Sequence, residues 1–219
     1  MSKIIPEEDV KSNYVSKMGV GLGTPYFALW KEIANLYGTW SEYVALYGAD
    51  ETRIKDMNTV APYYFGLIQN VLWENVILHI ARITDSCTTS GRANLTIQQL
   101  PGLIDNMELR TEVDEVIKEA KAKSLFCRDW RNRHIAHTDL TLATIEDAEP
   151  LGSASRLKVT QALSSIADVF NAVGRGYSCP TVIFDLNNSE PGGALSLMKI
   201  VEKAAKEKKL KIKGQEPEY

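Results

Sequence analysis

Between residues 56 and 84 the apolar side chains leave almost no polar face. Phe65, Ile68, Leu72, Val76, His79 and Ile83 recur at three- and four-residue steps, and Leu67, Val71, Ile77 and Ile80 widen the stripe. That step is the period of an α-helix. A helix apolar on most sides has to be covered by other helices, so the segment predicts the centre of a bundle.

The rest of the chain supplies the covering elements. Phe27, Trp30, Ile33, Tyr37 and Trp40 predict a helix over about 25–47, with Thr24 as its cap and Pro25 in its first turn. Leu109, Val113, Val116 and Ile117 predict another over about 108–122, after a short element interrupted by Pro101 and Gly102. Val159, Leu163, Ile166, Phe170 and Val173 form a further stripe, closed by Gly174 and Gly176. A last helix is expected from Pro191, with Leu195, Met198 and Val201 on one face and lysines towards its end. Thr181, Val182, Ile183 and Phe184 are the one β-like run, too short to found a sheet. Five or six helices with little strand make an all-α helical bundle. Residues 1–23 read as a lead segment, with Gly19, Gly21 and Gly23 a flexible approach to the Thr24 cap. Residues 24–176 read as the bundle and 177–219 as an extension with a lysine-rich tail that frays after residue 213.

Charge and cysteine usage narrow the setting. The net charge of −3 offers no general attraction to nucleic acid or to an anionic membrane. Residues 1–9 are charged rather than apolar, which does not suit a signal peptide. No run approaches the roughly 18–20 apolar residues of a membrane span. Cys87, Cys127 and Cys179 are widely spaced and odd in number, which fits a reducing cytoplasm better than a disulfide framework. Cys127 is expected to be a buried structural thiol, and His79 a hydrogen-bonded core histidine. No Asp, Glu and His set has metal-ligand spacing, so neither metal nor cofactor is expected.

The chemistry concentrates in one place. Two of the three histidines fall in Arg131-Asn132-Arg133-His134-Ile135-Ala136-His137, with Asp129 and Trp130 before and Thr138 and Asp139 after. On a regular helix Arg133 and His137 share a face, and Arg131 lies about 120° from His137. Such a set suits phosphoryl transfer on RNA without a metal. A neutral imidazole can take the proton of a 2′-hydroxyl, which then attacks the adjacent phosphate. Arginine binds phosphate as a planar fork and offsets the growing charge. Asn132 can hold the phosphate or orient the histidine, and Asp139 can fix the imidazole tautomer.

Arg131-Asn132 followed by His137, with Ala136 before it and Asp139 beyond, resembles the Arg-polar-x4-His signature of the HEPN superfamily. The form is similar to its AbiU2-like, abortive-infection branch, which also places an Arg-hydrophobic-x-Asp run after a long apolar helix; Arg82-Ile83-Thr84-Asp85 stands there. The resemblance covers most of 57–170. It implies an up-and-down bundle that dimerises, with two motifs facing each other in a composite site. It also implies a metal-independent endoribonuclease of a defence or toxin–antitoxin system that leaves a cyclic phosphate, with a cognate antitoxin as a protein partner. By position, Arg131 is then the phosphate-binding arginine, Asn132 the polar helper and His137 the catalytic histidine. Arg128-Asp129 followed by His134 has the same spacing; the Ala and Asp flanking His137 favour the first register, leaving His134 supporting or simply exposed. Arg82 and Asp85 read either as a helix-end arginine satisfying carbonyls and an aspartate capping the next turn, or with Arg82 beside the motif as a second phosphate contact or as a brace for Asp129 or Asp139. The alternative function is a catalytically silent module that binds RNA, a nucleotide or a protein.

Overall fold

The computed structural model describes residues 6–48, 50–184 and 192–213, the side chains of the last two excepted. The fold is all-α. Its principal elements are α1 (Glu7–Tyr47), α2 (Glu51–Val60), α3 (Pro62–Ile83), α4 (Met107–Lys123), α5 (Leu125–Trp130), α6 (Leu140–Thr144), α7 (Arg156–Gly176) and α8 (Ala194–Lys213). Among the described residues no helix is long and apolar enough to cross a membrane. The chain forms two compact units, Met1–Leu36 with Ile77–Phe184, and Tyr37–Val76 with Asp185–Tyr219; α1 and α3 each contribute to both.

In the first unit, α1 begins well before the expected start at Pro25 and doubles back on itself at Gly19. The backbone there takes φ 75° and ψ 164°, a region open essentially to glycine alone. The two arms run antiparallel. Lys31 meets Glu7 at 2.6 Å, the Tyr14 and Tyr26 rings lie 4.9 Å apart, and a Cβ on Gly23 would come within 2.7 Å of the Val15 Cα. The glycine triplet is thus a tight helical corner, not a flexible lead, and Thr24 and Pro25 lie inside α1 rather than capping it. Tyr26 is buried and donates its hydroxyl to the Phe170 carbonyl at 3.1 Å.

Helices α4 and α7 pack together in this unit. The α7 stripe Val159, Leu163, Ile166, Phe170 and Val173 is fully buried, as its period predicts. Asn106 and Ser155 cap the two helices through their side chains. The β-like run at 181–184 forms no strand. Its Val182 finds its backbone partners in one side chain: Val182 N donates to Asn171 Oδ1 at 2.9 Å and Asn171 Nδ2 donates to Val182 O at 3.2 Å. The strands among the described residues are Thr88–Thr89 and Arg92–Ala93, joined through Ser90 and Gly91 at φ 50° and 77°, the positive pair a two-residue hairpin requires.

In the second unit the single helix expected over 56–84 is broken. Ala61 leaves helical geometry at φ −152°, ψ 71°, because the ring of Pro62 disfavours helix in the residue before it. Leu46, Met57, Phe65, Ala194, Met198 and Val201 make the core here. Met198 and Val201 face inward as expected, but Leu195 does not; Ala194 takes the place. Asp56 is buried and accepts from Lys209 at 2.8 Å. The expectation that a helix apolar on most sides is covered on most sides fails for this part of α3, where Tyr63, Tyr64, Leu67 and Val71 are exposed. Pro191 and the tail after residue 213 lie outside the described residues.

Candidate functional site

The segment 125–139 starts as a helix and ends as something wider. After α5 the turn Arg131–Ile135 is π-helical, closed by a bond from Ala136 N to Arg131 O of 2.8 Å. One residue is effectively inserted, a device often found where side chains need re-aiming. His137 therefore lies past the last turn, and the regular-helix expectation that it shares a face with Arg133 does not apply.

Arg131 is the residue most firmly placed. Its Nη1 donates to Asp85 Oδ2 at 2.5 Å and its Nε to Asn132 Oδ1 at 3.0 Å. A guanidinium has five N–H groups, so three remain for a ligand. Asp85 is itself held from several sides. Its Oδ1 accepts from Ser86 N at 3.0 Å, and its backbone carbonyl accepts from Thr96 Oγ1 and Gln98 Nε2, both at 2.7 Å. The neighbouring Thr84 carbonyl accepts from Gln98 Nε2 at 2.9 Å and Arg128 Nη2 at 3.1 Å. Partial burial pushes the Asp85 pKa up. Its bonds from Arg131 and Ser86, with the charges of Arg131 and Arg128, outweigh that and hold it below the usual aspartate value.

The second register is spent on architecture. Arg128 pins the Thr84 turn, and its buried Nε has no partner among the described residues. Asp129 Oδ2 accepts from Gly152 N at 2.7 Å, and its Oδ1 meets Arg133 at 3.4 Å. Arg133 donates to the Glu149 carbonyl at 2.6 Å, and Trp130 Nε1 to the Gly152 carbonyl at 2.7 Å. Together these groups strap the loop around 149–152 to the helix. His134 is exposed and lies edge-on to Trp130, with ring centroids 5.5 Å apart.

Among the described residues two expected partnerships are not formed. Asp139 does not hold an imidazole; it caps α6, accepting from Leu142 N at 2.9 Å. Arg82 braces neither Asp129 nor Asp139; it is exposed, and Glu32 is its partner at 3.8 Å. Glu32 also shares a 2.8 Å hydrogen bond with His79, which is thereby the bonded core histidine expected. Asn132 and His137 are exposed, and among the described residues the His137 side chain makes no hydrogen bond.

Two open clefts lie nearby, of about 460 Å³ against Phe126, Asp129, Gly152 and Lys158 and about 480 Å³ against Asp129, Arg133, Asp139 and Glu149. Neither is lined by Arg131, Asn132 or His137. Sequence reasoning does not reach Glu32, Thr96, Gln98 or Ser124, whose Oγ donates to Thr84 Oγ1 at 3.2 Å. Isolated polar residues between apolar ones carry no signal of which distant carbonyl they will meet.

The HEPN family model described as AbiU2 matches residues 26–190, most of the chain and all of this segment. No curated protein and no solved structure matches.

Proposed function

The chain belongs to the AbiU2 family of HEPN domains, and from that membership we propose that it is a metal-independent endoribonuclease of an abortive-infection or toxin–antitoxin system. The observation that carries the reading is the seating of Arg131. It is aimed by Asp85 and Asn132, keeps three donors, and lies six residues from a histidine whose side chain makes no hydrogen bond among the described residues.

In this account His137 takes the proton of an RNA 2′-hydroxyl. The freed oxygen attacks the adjacent phosphorus, the bond to the 5′-oxygen breaks, and a 2′,3′-cyclic phosphate remains. The leaving 5′-oxygen takes up a proton. Arg131 stabilises the charge on the non-bridging oxygens, and Asn132 limits the swing of the guanidinium. His137 of a second copy is the proposed source of that proton, in a site composed by two chains facing each other. The exposure of Asn132 and His137 in one copy, outside either cleft, supports that arrangement. RNA is the proposed substrate, a cognate antitoxin the proposed restraint, and the cytoplasm the proposed compartment.

The test is the chemistry of the product ends. Incubated with an unstructured oligonucleotide, the protein is expected to leave 2′,3′-cyclic phosphate and 5′-hydroxyl termini, and His137→Ala to leave the substrate intact. Products with 5′-phosphate ends contradict the mechanism. The second reading is a silent binding module. The salt bridge that already occupies Arg131 favours it, and RNA binding without cleavage in a dimeric preparation would establish it.

A further inference from the structure

Among the described residues of the second unit, two aromatic rings stand exposed where α2 gives way to α3. Tyr63 is 85% exposed and Tyr64 54%, with Leu67 and Val71 about half exposed one and two turns along. Most large apolar side chains on a surface occur singly; four at consecutive turns of one helix face form a patch that marks a contact. Pro62 creates the corner, so both rings project from the first turn of a new helix.

One lysine reaches the same corner and two more stand on the helices that meet there. Lys208 Nζ donates to the carbonyl of Thr59, four residues before Tyr63, at 2.8 Å. Lys55 lies one turn before Thr59 on α2 and pairs with Glu51 at 3.2 Å, both side chains open to solvent, a weak surface pair that a phosphate can replace. Lys211 stands three residues beyond Lys208, on the same side of α8, exposed and with no ion pair among the described residues. The bland role of Lys208 is to satisfy a helix C-terminus. That role explains neither the exposed rings nor Lys211. Aromatic faces beside lysines in an otherwise acidic protein match single-stranded nucleic acid, whose bases stack while its phosphates meet ammonium groups.

We propose that Tyr63 and Tyr64 stack bases of single-stranded RNA at the α2–α3 corner, with Lys55, Lys208 and Lys211 contacting its phosphates. The platform holds substrate by a part that is not cleaved. The identity of that ligand rests on the ribonuclease reading above.

The test uses the full chain carrying His137→Ala and a fluorescent unstructured RNA of about twelve nucleotides. Tyr63→Ser/Tyr64→Ser is expected to weaken binding about tenfold or more. Lys55→Glu/Lys211→Glu is expected to flatten the salt dependence by roughly 0.7 in log–log slope for each phosphate no longer neutralised. In the wild-type background the same pairs are expected to raise KM for the oligonucleotide and leave dinucleotide cleavage unchanged. All four side chains are solvent-facing, so a preserved thermal transition separates lost binding from lost folding. Unchanged oligonucleotide binding in both pairs overturns the platform, whether or not the protein cleaves RNA. Loss of a dimer in the tyrosine pair, with RNA binding intact, also overturns it and assigns the face to a second copy. Weakened binding in both pairs, with a wild type that cleaves nothing, upholds the platform and removes the ribonuclease reading instead.

Discussion

Arg131 reaches back 46 residues to donate to Asp85 at 2.5 Å, joining the end of α5 to the end of α3. Both side chains are about three-quarters shielded. The carboxylate has supports besides the arginine, because Thr96, Gln98 and Arg128 hold the turn that carries it and Ser86 N donates to its Oδ1. A guanidinium aimed in this way loses little freedom when phosphate binds, which is where preorganised charge is effective in catalysis.

Replacing Asp85 by Asn should therefore cost activity more than stability. A partly exposed ion pair contributes about 1 kcal/mol or less to folding, so the denaturation midpoint should hardly move. Loss of aim should lower kcat by about 10- to 100-fold, by analogy with removal of one preorganised contact. Asp85→Glu should recover less than half of the loss, since the longer stem moves the carboxylate. A kcat equal to wild type in Asp85→Asn would remove the aiming role.

The pH dependence of this pair has a definite sign. The folded Asp85 pKa lies below its ordinary value of 3.8. Its contribution to stability is then complete above that value and is lost as pH falls through the lower, folded pKa. At neutral pH the pair is insensitive to acid. A carboxylate titration followed by NMR should place the Asp85 midpoint below 3.8, and Arg131→Ala should raise it.

The corner at Gly19 makes an independent prediction about the fold. Any side chain there is forced into a glycine-only backbone region, and Gly19→Ala should cost about 1–3 kcal/mol. At Gly23 the clash is with backbone, 2.7 Å from the Val15 Cα, so Gly23→Ala should cost a similar amount through separation of the two arms. Urea midpoints measure both, and an unchanged midpoint in either variant would rule out the hairpin.

The α7 stripe was legible because burial on one face imposes a period, and Val159 through Val173 carry it without interruption. The site segment was legible for a different reason, since its residue types are rare in this chain and crowd into a few positions. Pairings were not legible. Nothing local tells Asp85 that Arg131 will be its partner, or Glu32 that it will serve both His79 and Arg82. The same limit explains Val182: its apolar neighbours favour a strand, but one side chain, Asn171, supplied the hydrogen bonds a second strand would have given. At Gly19 to Gly23 the spacing suggested freedom, whereas the packing of the two arms requires close approach.

Cysteine reactivity should separate Cys127 from the other two thiols. Burial pushes Cys127 up to about 12, leaving almost no thiolate near neutral pH, and thiolate is the reacting species. Cys127 should resist a maleimide or disulfide reagent in the native state and react on unfolding, whereas Cys87 and Cys179, which are only partly buried, should react first. Native labelling of Cys127 at a rate matching Cys87 would contradict its placement in the core.

Arg131 and His137 are proposed to cleave RNA without a metal. The most direct measurement is cleavage of a mixed RNA pool in EDTA by the wild-type chain beside an Arg131→Ala/His137→Ala double variant of equal fold. Cleavage by the wild type and none by the variant is the expected result. Equal cleavage by both would contradict it, and would place the activity elsewhere than at these two residues.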